Sequence, residues 1–453
     1  MKKDFKVKIK TWSILLILTQ IISNCGLKKN AALLKNTNFE KNIPKNSIIH
    51  TQTDRKKFGP CEPSICISPK NPKYVVAGSV IDFVHVSKNG GKTWKTNKLN
   101  SKLGVFGDPV ITADSKGNFY YFHLSDPDGT GWKSNMIIDR IVVQKSTDNG
   151  NLWSSGTSIG LNPPKQQDKQ WATVNPLTNH IYTTWTEFDK YGSKNPRDRS
   201  RILFSLSEDF GGTWTTPLKL NSIDGNCLDD DMTPQGAVPA SDGKNLYVAW
   251  AYDHKILFSK SEDNGKTWDK TPQEIAVQKA GWSFTIPGVK RANGFPVTGV
   301  DISSSKNKGT IYINWSDQIT PDNTEIYICK STDQGETWSS PKVVNETNKA
   351  KHQFFNWMAV DPATGFIYIV YYEEAEVSNL INVKLAVSKD SAGSFKHYRI
   401  NKTSFDPRGT KFFGDYNNID ARNGIIRPIW TQTENGYLSV RTGLINQKWL
   451  DRL

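Results

Sequence analysis

Ser261-Glu262-Asp263-Asn264-Gly265-Lys266-Thr267-Trp268 is the stretch whose reading decides the fold. The same eight positions recur as Ser87–Trp94 (SKNGGKTW), Ser146–Trp153 (STDNGNLW), Ser207–Trp214 (SEDFGGTW) and Ser331–Trp338 (STDQGETW), with a degraded copy at Ser388–Phe395 (SKDSAGSF). The final aromatics are spaced 59, 61, 54, 70 and 57 residues apart. A repeat of that length is one supersecondary unit that cannot bury its apolar face alone, so the units must stack into a solenoid, propeller or array. Within each copy the third-position Asp is suited to accept backbone N–H groups of its own turn. The Gly takes a backbone conformation that other residues resist, and the Trp supplies a large apolar ring to hold the turn down. Each Asp sits in a separate turn, so these acids read as structural rather than as a calcium cluster.

Working outward, a short strand precedes each copy: near Glu62 (EPSICISP), Gly107 (GDPVITAD), Asp168 (DKQWATVNP), Thr233 (TPQGAVPASDG), Phe295 (FPVTGVDIS), Phe355 (FNWMAVDP) and Gly414 (GDYNNIDARNG). Most lead through an Asx, Gly or Pro turn into an aromatic-rich strand such as Tyr182–Trp185 or Tyr247–Trp250, and then a third strand enters the repeated turn. That is one four-stranded blade per repeat, and the chain reads as an all-β propeller. Seven first strands but six turns predict a ring closed by Ser47–Thr53 (SIIHTQT) as the outer strand of the last blade. Seven blades are expected, with six as the alternative.

Composition agrees. Of 453 residues, 36% are hydrophobic, and 15 Trp, 15 Tyr and 20 Phe supply enough apolar area to offset chain entropy, which excludes disorder across the whole chain. No apolar run reaches the roughly 18 residues that a spanning helix needs. Residues 1–24 combine a lysine-rich start with the short apolar run Trp12–Ile22 and end at Cys25, which reads as a signal peptide. That ending resembles a bacterial lipoprotein signal, and the resemblance implies a lipidated Cys25. Residues 25–46 then form a tether and 47–453 the propeller, in a protein anchored to the outer membrane or cell surface of a bacterial envelope. The leader and tether carry much of the formal +14 charge, and the remaining lysines scatter through turns, so no nucleic-acid stripe is expected. Cys61, Cys66, Cys227 and Cys329 allow three disulfide pairings; Cys66 and Cys329 lie in strand patterns and read as small buried residues.

The repeated turn resembles the Asp box, Ser-x-Asp-x-Gly-x-Thr-Trp, of sialidase-type propellers, and as architecture the resemblance covers roughly residues 55–445. It implies that function sits where the loops between blades meet the loops between second and third strands. The larger of these are 125–139, 186–200, 220–233, 273–295 and 402–413. Glu62, Asp108, Asp168, Asp231 and Asp415 open strands toward that face, with Trp171, Trp357 and Tyr416 nearby, and such acids and aromatic platforms suit a sugar. The sialidase residues themselves transfer poorly. Where sialidases carry Arg-Ile-Pro this chain reads Cys61-Glu62-Pro63. The place of the activating glutamate, ahead of Pro234-Gln235, holds Thr233, and a second arginine place falls within Trp250-Ala251-Tyr252. Tyr416 matches the nucleophilic tyrosine, and Asp82 is the acid in the first loop between second and third strands. Arg55, Arg291 and Arg408 are candidates for a substitute cluster gripping a ligand.

Two functions follow from this pattern. The first is an anchored monomer whose propeller binds an extracellular glycan or glycoprotein without chemistry. The second is a glycoside hydrolase with a rebuilt acidic site using Tyr416, Asp415, Asp108, Asp168 and Glu62. In either case Trp171, Trp357, Arg291, Arg408 and Asp231 are the expected ligand contacts. No cofactor is expected, apart from calcium as an option at Asp229-Asp230-Asp231, where distant oxygens would have to complete the shell.

Overall fold

The computed structural model describes residues 42–346, 352–376 and 380–453. Cys25, the signal peptide and most of the tether lie outside the described residues. Among these, seven sheets of at least four antiparallel strands form the blades of a β-propeller. The innermost strands are Ser64–Ile67, Val110–Ala113, Gln166–Val174, Gln235–Ser241, Val297–Val300, Gln353–Val360 and Asn418–Arg422. They fall where the turn punctuation placed them.

The last blade closes the ring. Its order runs Asn46–Thr51, Tyr437–Gly443, Ile425–Glu434, Asn418–Arg422, so the first described strand becomes the outer strand of the final sheet. Asn46 stands opposite Gly443 and Thr51 opposite Ser439. The seven-bladed expectation therefore holds, and the six-bladed alternative does not.

The second strand of each blade is covered on both faces by neighbouring blades. Phe119–Leu124 and Leu246–Tyr252 are buried at every position, so they read as aromatic runs rather than as two-residue alternation. Trp185, Trp250, Trp315 and Trp430 are fully buried between sheets. The repeated turns pin the outer edge. In the copy that opened the analysis, Ser261 Oγ donates to Asp263 Oδ1 (2.8 Å) and accepts from the Gly265 amide (2.8 Å), while Thr267 N and Oγ1 donate to the two Asp263 oxygens (2.9 and 2.6 Å). In the equivalent turn the Thr213 amide leads a set of donors that hold the Asp209 carboxyl down at about 2. Each Asp is thus spent inside its own turn. The turn tryptophans are half-buried rather than sunk in the core, and they bridge blades: Trp214 meets Phe122, and Trp268 meets Phe204, edge-on.

Cys61, Cys66, Cys227 and Cys329 are all buried free thiols, so none of the three possible disulfide pairings forms.

Candidate functional site

The chain drops from the rim into the channel through a sharp bend at four of the seven first strands. Glu62 (φ 49°), Asp108 (φ 48°), Lys169 (φ 53°) and Phe355 (φ 52°) all adopt the left-handed region at that point. The pairing register slips beside two of them, between Asp168 and Trp171 and between Phe354 and Trp357. Bulges of this kind re-aim side chains, and strained non-glycine backbone concentrates at functional sites. Here they converge charged groups on the channel mouth.

Lys169 is the centre of that convergence. Its Nζ lies 3.1 Å from Asp108 Oδ2, 3.2 Å from Asp415 Oδ2 and 4.0 Å from Glu62 Oε1. Burial works against its charge, but Asp108, Asp415, Asp168 and Glu62 hold its pKa well above the ordinary lysine value. Arg291 makes the second cationic node, 2.8 Å from Asp415 Oδ2 and 3.2 Å from Asp229 Oδ2. Tyr191 donates to the same Asp229 oxygen at 2.6 Å. Burial pushes the Glu62 carboxyl well up, with Lys169 opposing. Burial likewise pushes Asp168 up to about 8, again against Lys169, so Asp168 is largely protonated near neutrality.

Above this floor a cavity of about 330 Å³ opens, lined by Glu62, Asp108, Asp168, Lys169, Arg291 and Asp415 below and by Phe58, Phe106, Trp132, Tyr191 and Phe412 around the walls. Trp132 rides on a single 3₁₀ turn in the 125–139 loop. It is 59% exposed, yet held edge-on to Phe106 at 5.7 Å and tilted on Tyr191 at 5.4 Å. A cavity of about 360 Å³ at the opposite end of the channel has no aromatic lining and one charged pair, Asp420 with Arg422.

The expected residues divide. Glu62, Asp108, Asp168, Asp415 and Arg291 are brought together at this mouth. Tyr416, Trp171 and Trp357 sit deeper, below Lys169. Trp171 and Trp357 meet at 4.1 Å, Tyr416 packs edge-on to Trp171, and its ring lies 6.0 Å from Lys169 Nζ. They plug the channel instead of offering a platform, because a ring of this radius leaves an axial void that only large side chains fill. Tyr416 Oη makes no hydrogen bond to the described residues, and burial with the nearby acids raises its pKa well above the ordinary phenol.

Asp231 is absent from the cluster. It accepts from the His254 and Trp282 amides (3.0 and 2.7 Å) and steadies the base of a hairpin. The neighbour Asp229 enters instead. Asp230 accepts from Asn226 Nδ2 and the Met232 amide, so the three consecutive acids point to different partners. The arginines do not gather either: Arg408 pairs with Asp406 at 2.6 Å, and Arg55 lies over the Tyr437 ring at 4.3 Å. Asp82 pairs with Lys98 at 2.6 Å, away from the mouth.

The wall residues Trp132 and Tyr191 lie in loops and escape a reading of the sequence, and so do two contributors to the floor. Lys169 is one, because the adjacent acid Asp168 drew the assignment. Counting two residues back from the strand starts Ser64 and Val110, and from Trp171, where pairing resumes after the bulge, aligns Glu62, Asp108 and Lys169 at one position. Arg291 is delivered by the other, the hairpin Ser283–Ile286 with Val289–Asn293, inside what reads as one loop.

No family model matches the sequence. Among solved structures, an ulvan lyase, a polysaccharide lyase bound to -[GlcA(1-4)Rha3S]-, aligns with a TM-score of 0.52 at 13% identity, over 89% of this chain and 96% of that one. The Hadza microbial sialidase Hz136 aligns at 0.47 and 13% identity, over 84% and 75% of the two chains. The NanB sialidase of Streptococcus pneumoniae aligns at 0.48 and 12% identity, over 75% and 68%. At such identities the likeness is one of architecture: this chain has a β-propeller fold, which the ulvan lyase shares.

Proposed function

We propose that the propeller is a glycan-binding module on a lipid-anchored protein of the bacterial envelope, with its ligand in the 330 Å³ cavity. One observation carries the reading: an exposed, rigidly held indole stands over a floor of carboxyl groups. Flat apolar rings and acceptor oxygens together match the two kinds of surface that a sugar presents, and the volume is at the small end of ligand pockets. Ulvan lyase, which shares the fold, is itself bound to an oligosaccharide.

A tyrosine-nucleophile hydrolysis has little support. A phenol needs a neighbouring base to take its proton, and Tyr416 Oη has no hydrogen-bond partner among the described residues and lies beneath the Lys169 ion pairs. A second reading keeps chemistry through Asp168. Its carboxyl retains a proton near neutrality beside the ionic Asp108–Lys169–Asp415 group, the split of roles on which glycosidases rely.

The test is a glycan array run beside a panel of chromogenic glycosides, using parent, Tyr416→Phe and Asp168→Asn proteins. Saturable binding without turnover, unaltered in Tyr416→Phe, is expected. Turnover abolished in Asp168→Asn would establish the second reading. For the anchor, Cys25→Ala should shift the protein from the membrane to the soluble fraction, and unchanged detergent partitioning would overturn lipidation.

A further inference from the structure

Resting on that glycan-binding reading, we infer that the glycan is a polyanion. Its end sits in the cavity, and its sulfate or carboxylate groups lie over a lysine rim on one side of the mouth. Three separate stretches of the chain build that rim: 54–58 (DRKKF), 288–291 (GVKR) and 406–412 (DPRGTKF). Each also supplies the cavity wall, through Phe58, Arg291 and Phe412. Lys411 Nζ lies 4.0 Å over the Phe58 ring and donates to the Lys56 carbonyl at 3.4 Å. Lys290 and Arg291 border a cleft of about 40 Å³ whose other side is Gly409, Thr410 and Phe412.

Charge is concentrated there. Leaving Arg291 aside, the three stretches hold six cations, Arg55, Lys56, Lys57, Lys290, Arg408 and Lys411, against two acids, Asp54 and Asp406. That excess of four is most of the net +6 carried by residues 47–453, so the rest of the propeller is close to neutral. Arg408 is closed on Asp406. Lys56, Lys57, Lys290 and Lys411 are exposed and pair with no carboxylate among the described residues. Across the mouth the balance reverses, since residues 126–134, which carry Trp132, hold Asp126 and Asp128 against Lys133 alone.

Like charges held side by side raise the local potential, and a ligand that bridges them with anions relieves their repulsion. Lysine ammoniums are point charges on flexible stems, with three donors each. They suit anionic groups spaced along a chain better than one group gripped in a fixed fork. The floor does not compete for these anions, because Lys169 is already shared by Asp108 and Asp415. Arg291 stands between floor and rim. Asp415 and Asp229 engage two of its five N–H donors, and its side chain is 44% exposed, so donors remain where the glycan would pass outward. A nucleic acid carries a phosphate at every nucleotide, and a strand crossing the mouth would run from the lysines into Asp126 and Asp128. A glycan that ends in the cavity meets the lysine side only.

The experiment measures binding of the full-length protein in detergent to three forms of one polysaccharide and to single-stranded DNA. The three forms are chondroitin sulfate, desulfated chondroitin, and desulfated chondroitin with its carboxyls reduced. Affinity should rise with charge through the series by about tenfold, the factor to which four exposed pairs of ordinary strength multiply. That spread should vanish in about 0.5 M salt. The rim variant Lys56→Gln/Lys57→Gln/Lys290→Gln/Lys411→Gln should lose it. A control with the same charge change at the repeated turns, Lys73→Gln/Lys88→Gln/Lys92→Gln/Lys266→Gln, should keep it. All eight lysines are exposed, so both variants should fold, as circular dichroism can verify. Equal binding of the three forms, binding of neutral glycans alone, a spread that survives in the rim variant, or one lost equally in the control would overturn the inference while leaving a glycan-binding protein. Tighter binding of the DNA than of chondroitin sulfate would overturn the choice of polyanion. No binding to any form, nor to any glycan on the array, would overturn the glycan-binding reading itself.

Discussion

Asp168 shows what one buried carboxyl does to this molecule. Its pKa, pushed up by burial to about 8, exceeds the unfolded value near 3.9. The folded state therefore holds the proton over a range where the unfolded chain has lost it. By linkage, the contribution of this group to stability is full below about pH 4, falls between about 4 and 8, and is level above. Asn at this position can still accept from the Lys169 amide, as Asp168 Oδ1 does at 2.9 Å, and has no proton to lose. Asp168→Asn should match the parent at pH 4 and melt at a higher temperature at pH 9; parallel melting curves across that range would refute the assignment. Lys169→Met should behave oppositely. It leaves Asp108 without its cation and Asp415 with Arg291 alone, at a cost of about 3–5 kcal/mol that denaturant titration should find.

Among the elements, the repeated turns were the most legible because each physical demand falls on a fixed residue type. Gly265 illustrates this. Its φ is +86°, and a Cβ there would stand 2.4 Å from Phe204 Cζ, an atom of the neighbouring blade. Gly265→Ala should cost about 1–3 kcal/mol in a denaturant titration, and sugar binding should persist, because the turn lies far from Trp132. A binding loss with unchanged stability would contradict that placement. The hairpin bearing Arg291 was the least legible element. Ser283–Ile286 and Val289–Asn293 are short and flank Pro287-Gly288, a turn dipeptide that was present in the sequence. It lay within an interval already read as a single loop, since hairpins outside the repeat have no periodicity to mark them. Strand starts for Glu62 and Asp108 were visible because Pro follows each. Lys169 lacks that marker, and an acid stood next to it.

For the whole molecule, the decisive contact is the sheet shared by Asn46–Thr51 and Tyr437–Gly443. Here the sequence pattern sufficed, since a count of first strands against turns demanded a strand from the other end of the chain. Deleting residues 46–51 should expose the edge of Tyr437–Gly443, an unpaired row of N–H and C=O groups that invites association. Size exclusion should then show oligomers, and the melting transition should broaden and fall; a monomer with parental melting would mean that the ring closes without this strand.

That closure also fixes an order of events in time. The Leu438 amide donates to Gln52 Oε1 across 386 residues of sequence. At synthesis rates of about 5–20 residues per second, the first strand waits roughly 20–80 s for its partner to be made. Contacts so distant pay their loop-closure entropy late and slow the final step of folding. The segment that leaves the ribosome early is therefore among the last to find its place, and it spends the interval as a ready substrate for whatever factors hold nascent chains.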